Sequence, residues 1–244
     1  MPKKILLITG WGVGTAPLMP LQQALQQVGH RVELVDIFDW FDPIQKQQML
    51  SRVAEVDVVI GWSLGGQLAL LLVDAYQQIT GQQKTLINLA SNPCFVAREN
   101  WSCAMPETEF TQFFQAFQQH PQATLKRFYL NICRGDAQAK QHWLNLQNTA
   151  NPPDYALLMQ GLIMLRDLNL VDKWLEFANS AYFIFAEQDA VIPCQILQKA
   201  PDIAVEAAHI VMLENLSHAF PMTHPELTAE QIGQWVTEAS FVLI

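Results

Sequence analysis

The sequence predicts an α/β fold with a mostly parallel central sheet flanked by helices, and three observations predict it. Short runs of β-branched and aliphatic residues recur along the chain, helical patterns separate most of them, and the third run leads directly into a glycine-serine-glycine turn. Strands buried on both faces read as near-continuous apolar runs, and parallel neighbours need a crossover, usually a helix.

The elements follow in order. Ile5 to Thr9 reads as the first strand; Lys3 and Lys4 precede it, but Thr9-Gly10 ends the apolar run before a signal-peptide core could develop. Leu18 to Val28 reads as a helix, Arg31 to Ile37 as a strand, Pro43 to Val53 as a helix and Val56 to Ile60 as the third strand. Gly66 to Ile79 and Thr85 to Ala90 continue the alternation. It then breaks, because Pro106 to Phe177 is rich in Gln, Phe, Leu and Ala and has no convincing strand. Phe110, Phe113, Phe114 and Phe117 recur at three- and four-residue intervals and so share one helical face. Packing against the core is the plain reading of these rings, and lining a substrate channel is the other. Asn92-Pro93 suits the approach to this region and Asn151-Pro152-Pro153 a turn within it. Tyr182 to Phe185 and Ile210 to Leu213 resume the strands, and Thr228 to Ala239 closes the chain as a helix. The expected organisation is one core, residues 1–105 and 178–244, with residues 106–177 inserted as a helical lid. The Gln pairs at 22–23, 26–27, 77–78 and 82–83 fall on helix surfaces, where they solvate.

At 244 residues the chain can bury a substantial single core. Half of its residues are hydrophobic and only 15% charged, a composition that argues against extended disorder. The net charge of -9 speaks against a general nucleic-acid binder, which needs a basic surface. No apolar stretch approaches the roughly 20 residues of a membrane-spanning helix. Cys94, Cys103, Cys133 and Cys194 form no CxxC pair, and the six histidines form no HExxH pattern. Reduced thiols in a cytoplasm are expected, with no metal and no organic cofactor.

The chemistry centres on Gly61-Trp62-Ser63-Leu64-Gly65, a G-x-S-x-G turn after a strand. Such a turn can expose a serine hydroxyl close to backbone donors. A serine needs a base, and the base an orienting acid. In hydrolases built this way the chain order is Ser, then Asp or Glu, then His, each following a strand. Asp189, in the loop after Tyr182 to Phe185, is the preferred acid, and Glu187 is its rival two residues earlier. His218, after Ile210 to Leu213, is the preferred base; His224 precedes Pro225, and His209 would begin the strand. The oxyanion donors expected from this architecture are the backbone N–H of Leu64 and one from Gly10-Trp11-Gly12, with Trp11 the candidate. Gly10-Trp11-Gly12-Val13-Gly14, with Asp36 ending the next strand, imitates a dinucleotide fingerprint. Thr15 stands where its last glycine belongs, and bulky Trp11 where a pyrophosphate would approach.

Gly10-Trp11-Gly12, Gly61-Trp62-Ser63-Leu64-Gly65-Gly66, Ala90-Ser91-Asn92-Pro93-Cys94-Phe95 and Ser217-His218-Ala219-Phe220 together resemble the pimeloyl-[acyl-carrier protein] methyl ester esterases of biotin synthesis. The similarity extends over nearly the whole chain, including Ala97-Arg98-Glu99-Asn100-Trp101 and the insertion. It implies an α/β-hydrolase fold with a helical lid, and hydrolysis of the methyl ester on a pimeloyl chain carried by acyl-carrier protein. By position Ser63, Asp189 and His218 correspond to the family's triad, Trp11 and Leu64 to its oxyanion donors, and Trp11 and Phe128 to positions lining the acyl channel.

Lys126, Arg127, Arg134 and Lys140 lie in a stretch where Asp136 is the main opposing charge. A basic patch on an acidic enzyme can steer an acidic carrier, although each residue also reads as part of a solvated helix face. Arg127 and Lys140 align with carrier-contacting positions of the family. Ala123 and Leu144 stand where further basic contacts would be expected, and Thr9 where many relatives place His. The resulting reading is a cytoplasmic, monomeric serine esterase with acyl-carrier protein as partner, acting without nucleic acid or membrane. A broad carboxylesterase on short free acyl esters would share every catalytic residue, and a noncatalytic hydrolase-fold binding protein is the alternative of another class.

Overall fold

The computed structural model describes residues 1–192 and 209–238. Six parallel strands form one sheet: β1 (Lys4–Ile8), β2 (Arg31–Val35), β3 (Val58–Trp62), β4 (Thr85–Leu89), β5 (Ala181–Ala186) and β6 (Ile210–Leu213), in the spatial order β2-β1-β3-β4-β5-β6. The crossovers and flanks are α1 (Met19–Gln27), α2 (Pro43–Ala54), α3 (Leu64–Thr80), α4 (Glu107–Gln119), α5 (Pro121–Cys133), α6 (Ala139–Thr149), α7 (Tyr155–Asp167), α8 (Val171–Phe177), α9 (Phe220–Thr223) and α10 (Pro225–Glu238).

All six predicted strands form, with shifts at their ends that have local causes. The third was read from Val56 but runs Val58–Trp62. Asp57 instead ties the strand's start to β1: its N–H donates to the Lys4 carbonyl and its carboxylate accepts from the Lys4 N–H. The helix read from Gly66 starts at Leu64, because Gly65 and Gly66 form its first turn against the sheet. A Cβ at Gly65 would stand 2.3 Å from the Thr9 carbonyl oxygen, and one at Gly66 would stand 2.4 Å from the Ser91 Cβ. The last helix starts at Pro225, where proline's fixed φ and missing N–H suit a first turn; its expected end at Ala239 lies outside the described residues. α3 is buried continuously from Leu64 to Asp74 and ends at Gly81, whose φ of 71° suits glycine.

Five helices, α4 to α8, fill the interval between β4 and β5, as the absence of strand signals predicted. Phe110 and Phe117 of α4 are buried, with Phe113 and Phe114 packed half-buried on the same core. The Asn151-Pro152-Pro153 breaker falls between α6 and α7. Asn151 also pins this segment to the loop after β1: its N–H donates to Val13 O, and its side chain accepts from Ala16 N–H at 2.8 Å.

The sheet order reverses between β1 and β3, since β1 leads outward to β2 while β3 leads the other way. In open α/β sheets the ligand crevice lies at the carboxyl ends of the strands at such a switch point. Trp11 and Ser63 both follow strands that meet there, with Ile8 opposite Gly61 in register.

Candidate active site

Ser63 sits between β3 and α3 with φ 57° and ψ -122°, a conformation a residue with a side chain adopts only when its surroundings enforce it. The enforcement is steric. A Cβ at Gly61 would lie 2.1 Å from the Gly65 carbonyl oxygen, so only glycine permits the turn to close. Ser63 N–H donates to Leu89 O at 2.9 Å, anchoring the turn to β4. Leu64 opens α3, and the first-turn amides of a helix lack intrahelical acceptors.

β5 and β6 are neighbours, and their exit loops bring Asp189 and His218 together. His218 Nδ1 lies 2.7 Å from Asp189 Oδ2, with both side chains almost wholly buried. The other carboxylate oxygen accepts from Val191 N–H at 2.7 Å and Ile192 N–H at 2.8 Å. Three hydrogen bonds fix the plane of the carboxylate. His218 Nε2 is buried without a hydrogen-bond partner. Glu187 serves elsewhere: it is exposed and accepts from the Asn215 N–H, holding the turn after β6. His224 bonds Thr223 through Nδ1 where α9 passes into α10, and the His209 ring packs 4.6 Å from Tyr182. Neither competes with His218 for the aspartate.

The loop after β1 reaches the serine by close packing. A Cβ at Gly10 would stand 3.0 Å from the Ser63 Cβ, which leaves room for nothing larger than glycine. Thr9 is fully buried, its N–H donating to Val35 O and its hydroxyl to Asp36 Oδ1 at 2.7 Å. Burial pushes the Asp36 carboxyl above its ordinary value, against the pull of the bonds from Thr9 and the Ile37 N–H. The carboxylate that imitated a dinucleotide fingerprint therefore braces this loop. Thr9, where a histidine was the expectation, is fixed to the end of β2 by both of its bonds.

The Trp11 indole is packed rather than free. Its N–H donates to Leu158 O at 2.8 Å, and its ring meets Phe113, Phe117 and Phe128 edge-on at 5.5, 5.3 and 5.0 Å. Tyr129, which the sequence did not single out, donates its hydroxyl to Gly12 O at 2.7 Å, and burial pushes its pKa to about 12. An aromatic beside Phe128 on a helix carries no sequence signal for a bond to a loop 117 residues away.

Lys126 and Arg127 on α5, Arg134 after it and Lys140 on α6 are all exposed. Asp136, expected to oppose them, is turned inward, with its carboxylate 3.4 Å from His142 Nε2 and accepting from Gln138 N–H. Arg127 also borders a groove of about 550 Å³ between α4 and α5, lined by Met105, Glu109, Phe113 and Thr124 among others. Cys94, Cys103 and Cys133 are free thiols; Cys194 lies outside the described residues. Among the described residues, no helix is long and apolar enough to cross a membrane.

A serine on a strained strand-to-helix turn, with a histidine-aspartate pair at the exits of later strands, defines a hydrolase. The chain belongs to the alpha/beta hydrolase family, whose model matches residues 5–231. A bromoperoxidase from Bacillus anthracis (TM-score 0.76, 16% identity, covering 97% of this chain and 92% of that one) shares the fold. So does an esterase from Exiguobacterium antarcticum (TM-score 0.73, 20% identity, 96% and 92% covered). Within the family the chain falls among the pimeloyl-[acyl-carrier protein] methyl ester esterases, carboxylic ester hydrolases. The protein of that name from Shewanella oneidensis is 30% identical over 249 residues, which cover 96% of this chain and 91% of the relative.

Proposed function

We propose that the protein hydrolyses the methyl ester of pimeloyl-[acyl-carrier protein], releasing methanol, by a Ser63-His218-Asp189 mechanism. The observation that carries the chemistry is the buried His218–Asp189 pair at 2.7 Å, with Nε2 left unpartnered, on the strand exits that follow Ser63 in the sheet. What favours the substrate is the activity for which the Shewanella oneidensis relative is named, with the two chains matching over nearly their full length.

His218 Nε2 takes the Ser63 proton as Oγ attacks the ester carbonyl, and Asp189 stabilises the imidazolium through Nδ1. The oxyanion is held by the Leu64 and Trp11 N–H groups. Collapse breaks the acyl–methoxy bond, and His218 gives its proton to the departing methoxide, which leaves as methanol. Water, deprotonated by the same nitrogen, then attacks the acyl-enzyme, and Ser63 recovers the proton as the free carboxylic acid is released on the carrier.

In this reading the inserted helices form a lid over the acyl chain. Phe128 and Phe113 pack around Trp11, and Phe113 also lines the groove beside Arg127, which offers a route from the surface toward the aromatic cluster. Arg127, Lys140, Lys126 and Arg134 receive the acidic carrier in the cytoplasm, and the enzyme acts as a monomer. The test compares hydrolysis of the carrier-linked ester with free monomethyl pimelate. A clear preference in kcat/KM for the carrier-linked ester is expected. Equal efficiency would replace this assignment with a broad carboxylesterase, and failure to hydrolyse either would leave an inactive hydrolase fold.

A further inference from the structure

Trp62 adjoins the proposed nucleophile and touches both the proposed base and the loop that carries Trp11. It ends β3 immediately before Ser63 and is fully buried. Its indole N–H donates to the backbone carbonyl of His218 at 3.0 Å, across 156 residues of sequence, and the two rings lie 5.2 Å apart at a tilt of 43°. A Cβ at Gly10 would stand 2.7 Å and 2.8 Å from the indole Cε3 and Cζ3, so the loop that carries Trp11 packs directly on this ring.

The bond to Asp189 alone does not fix an imidazole. It holds one ring nitrogen but leaves the ring free to swing about that contact, and residue 218 lies on a loop beyond the end of β6. Two further ties restrain the segment: Ala219 N–H donates to Ile132 O of α5, and Trp62 donates to His218 O. A buried indole N–H needs some acceptor. Here the acceptor belongs to the residue read as the base, and the donor is covalently joined to the residue read as the nucleophile. One rigid side chain therefore spans the two reacting residues, and small misplacements of such groups are costly in rate.

We propose that Trp62 is a positioning residue, holding the His218 backbone so that the imidazole can serve Ser63 through acylation and deacylation. The proposal rests on Ser63, Asp189 and His218 acting as the triad. Trp62→Phe keeps an aromatic ring and removes the N–H. With methyl ester substrate it is expected to lower kcat about tenfold, the upper end for one hydrogen bond, while KM stays within about twofold. Site-specific replacement by 3-benzothienylalanine, which preserves the indole's shape without its donor, should give the same loss and covers the case in which the phenylalanine variant misfolds.

The decisive measurement repeats Trp62→Phe in a His218→Ala background, assayed at high enzyme concentration. With no imidazole to position, the residual rate should change by less than about twofold, because groups acting through one another are not additive. A tenfold loss that persists in that background would mark general loosening of the core and overturn the proposal. Wild-type kcat in the benzothienyl variant would overturn it as well. Full activity in His218→Ala alone would instead bring down the triad reading itself, before Trp62 is tested.

Discussion

The strand-exit loops and the inserted helices both close on the segment Gly10 to Gly14, and they do so by different physics. The exits of β3, β5 and β6 place their groups through the backbone: a forced φ at Ser63, glycines at 61 and 65 that leave no room for a Cβ, and amide donors on Asp189. The insertion works mainly through side chains: three phenylalanine rings around Trp11, a tyrosine hydroxyl on Gly12, and exposed basic residues on and between α5 and α6. Backbone geometry tolerates little variation, whereas aromatic packing can be reshaped residue by residue. The division teaches where reactivity and selectivity reside. In the proposed function the sheet's edge sets the reaction, and the insertion selects what reaches it.

The largest effects should come from the sheet's edge and should be indifferent to the substrate's carrier. Ser63→Ala is expected to lower kcat by about 10⁵-fold or more, and Asp189→Asn by roughly 10³- to 10⁴-fold, equally on carrier-linked and free methyl esters. Thermal melts of both variants should stay near wild type. A loss confined to the carrier-linked ester would break the division between the two regions.

Charge changes on the insertion should behave in the opposite way. Reversing Arg127 and Lys140 together to Glu is expected to raise KM for the carrier-linked ester by about tenfold at low salt, with the effect shrinking as salt is added. Hydrolysis of free monomethyl pimelate should be unchanged. Equal losses on both substrates would show that these residues support the structure of the inserted helices instead of meeting a carrier.

The same division explains what the sequence made legible. The placement of Ser63, Asp189 and His218 at strand exits was readable because each follows an apolar run, and a parallel sheet brings its strand exits to one edge. Glycine spacing around Ser63 was readable because a tight turn excludes side chains. The links between the insertion and the core were not readable. Tyr129 to Gly12, Trp11 to Leu158 and Asn151 to Val13 join residues more than a hundred positions apart through single hydrogen bonds. Such pairings depend on how α5 and α7 dock, and hydrophobic periodicity predicts that a helix docks without predicting its neighbour.

Tyr129→Phe examines one of those links. It leaves the ring and removes the hydroxyl that donates to Gly12 O, so a buried carbonyl loses its partner. The expected cost is about 1 kcal/mol of stability by urea melts, together with a drop in kcat of a few-fold on either ester, since Gly12 adjoins Trp11. An unchanged kcat with reduced stability would place the tyrosine in the packing of the inserted helices alone.

The smallest expected effect concerns Asp36, on the core side of the same loop. Its folded pKa is raised above the unfolded value of 3.8, so the native state binds its proton more tightly than the unfolded chain does. Its contribution to stability is therefore fully present below 3.8 and is lost as pH rises through the raised folded value. Other carboxylates impose their own acid dependence, so the informative quantity is the difference in unfolding free energy between wild type and Asp36→Asn, measured by urea melts from acid to neutral pH. That difference should move in favour of wild type as the pH is lowered through the window above 3.8, and level off at neutrality. A difference that moves the other way would mean that the hydrogen bonds from Thr9 and Ile37 outweigh burial. The carboxylate beneath the loop after β1 would then be held as an ion, and neutral pH would become the condition under which it braces Thr9 most firmly.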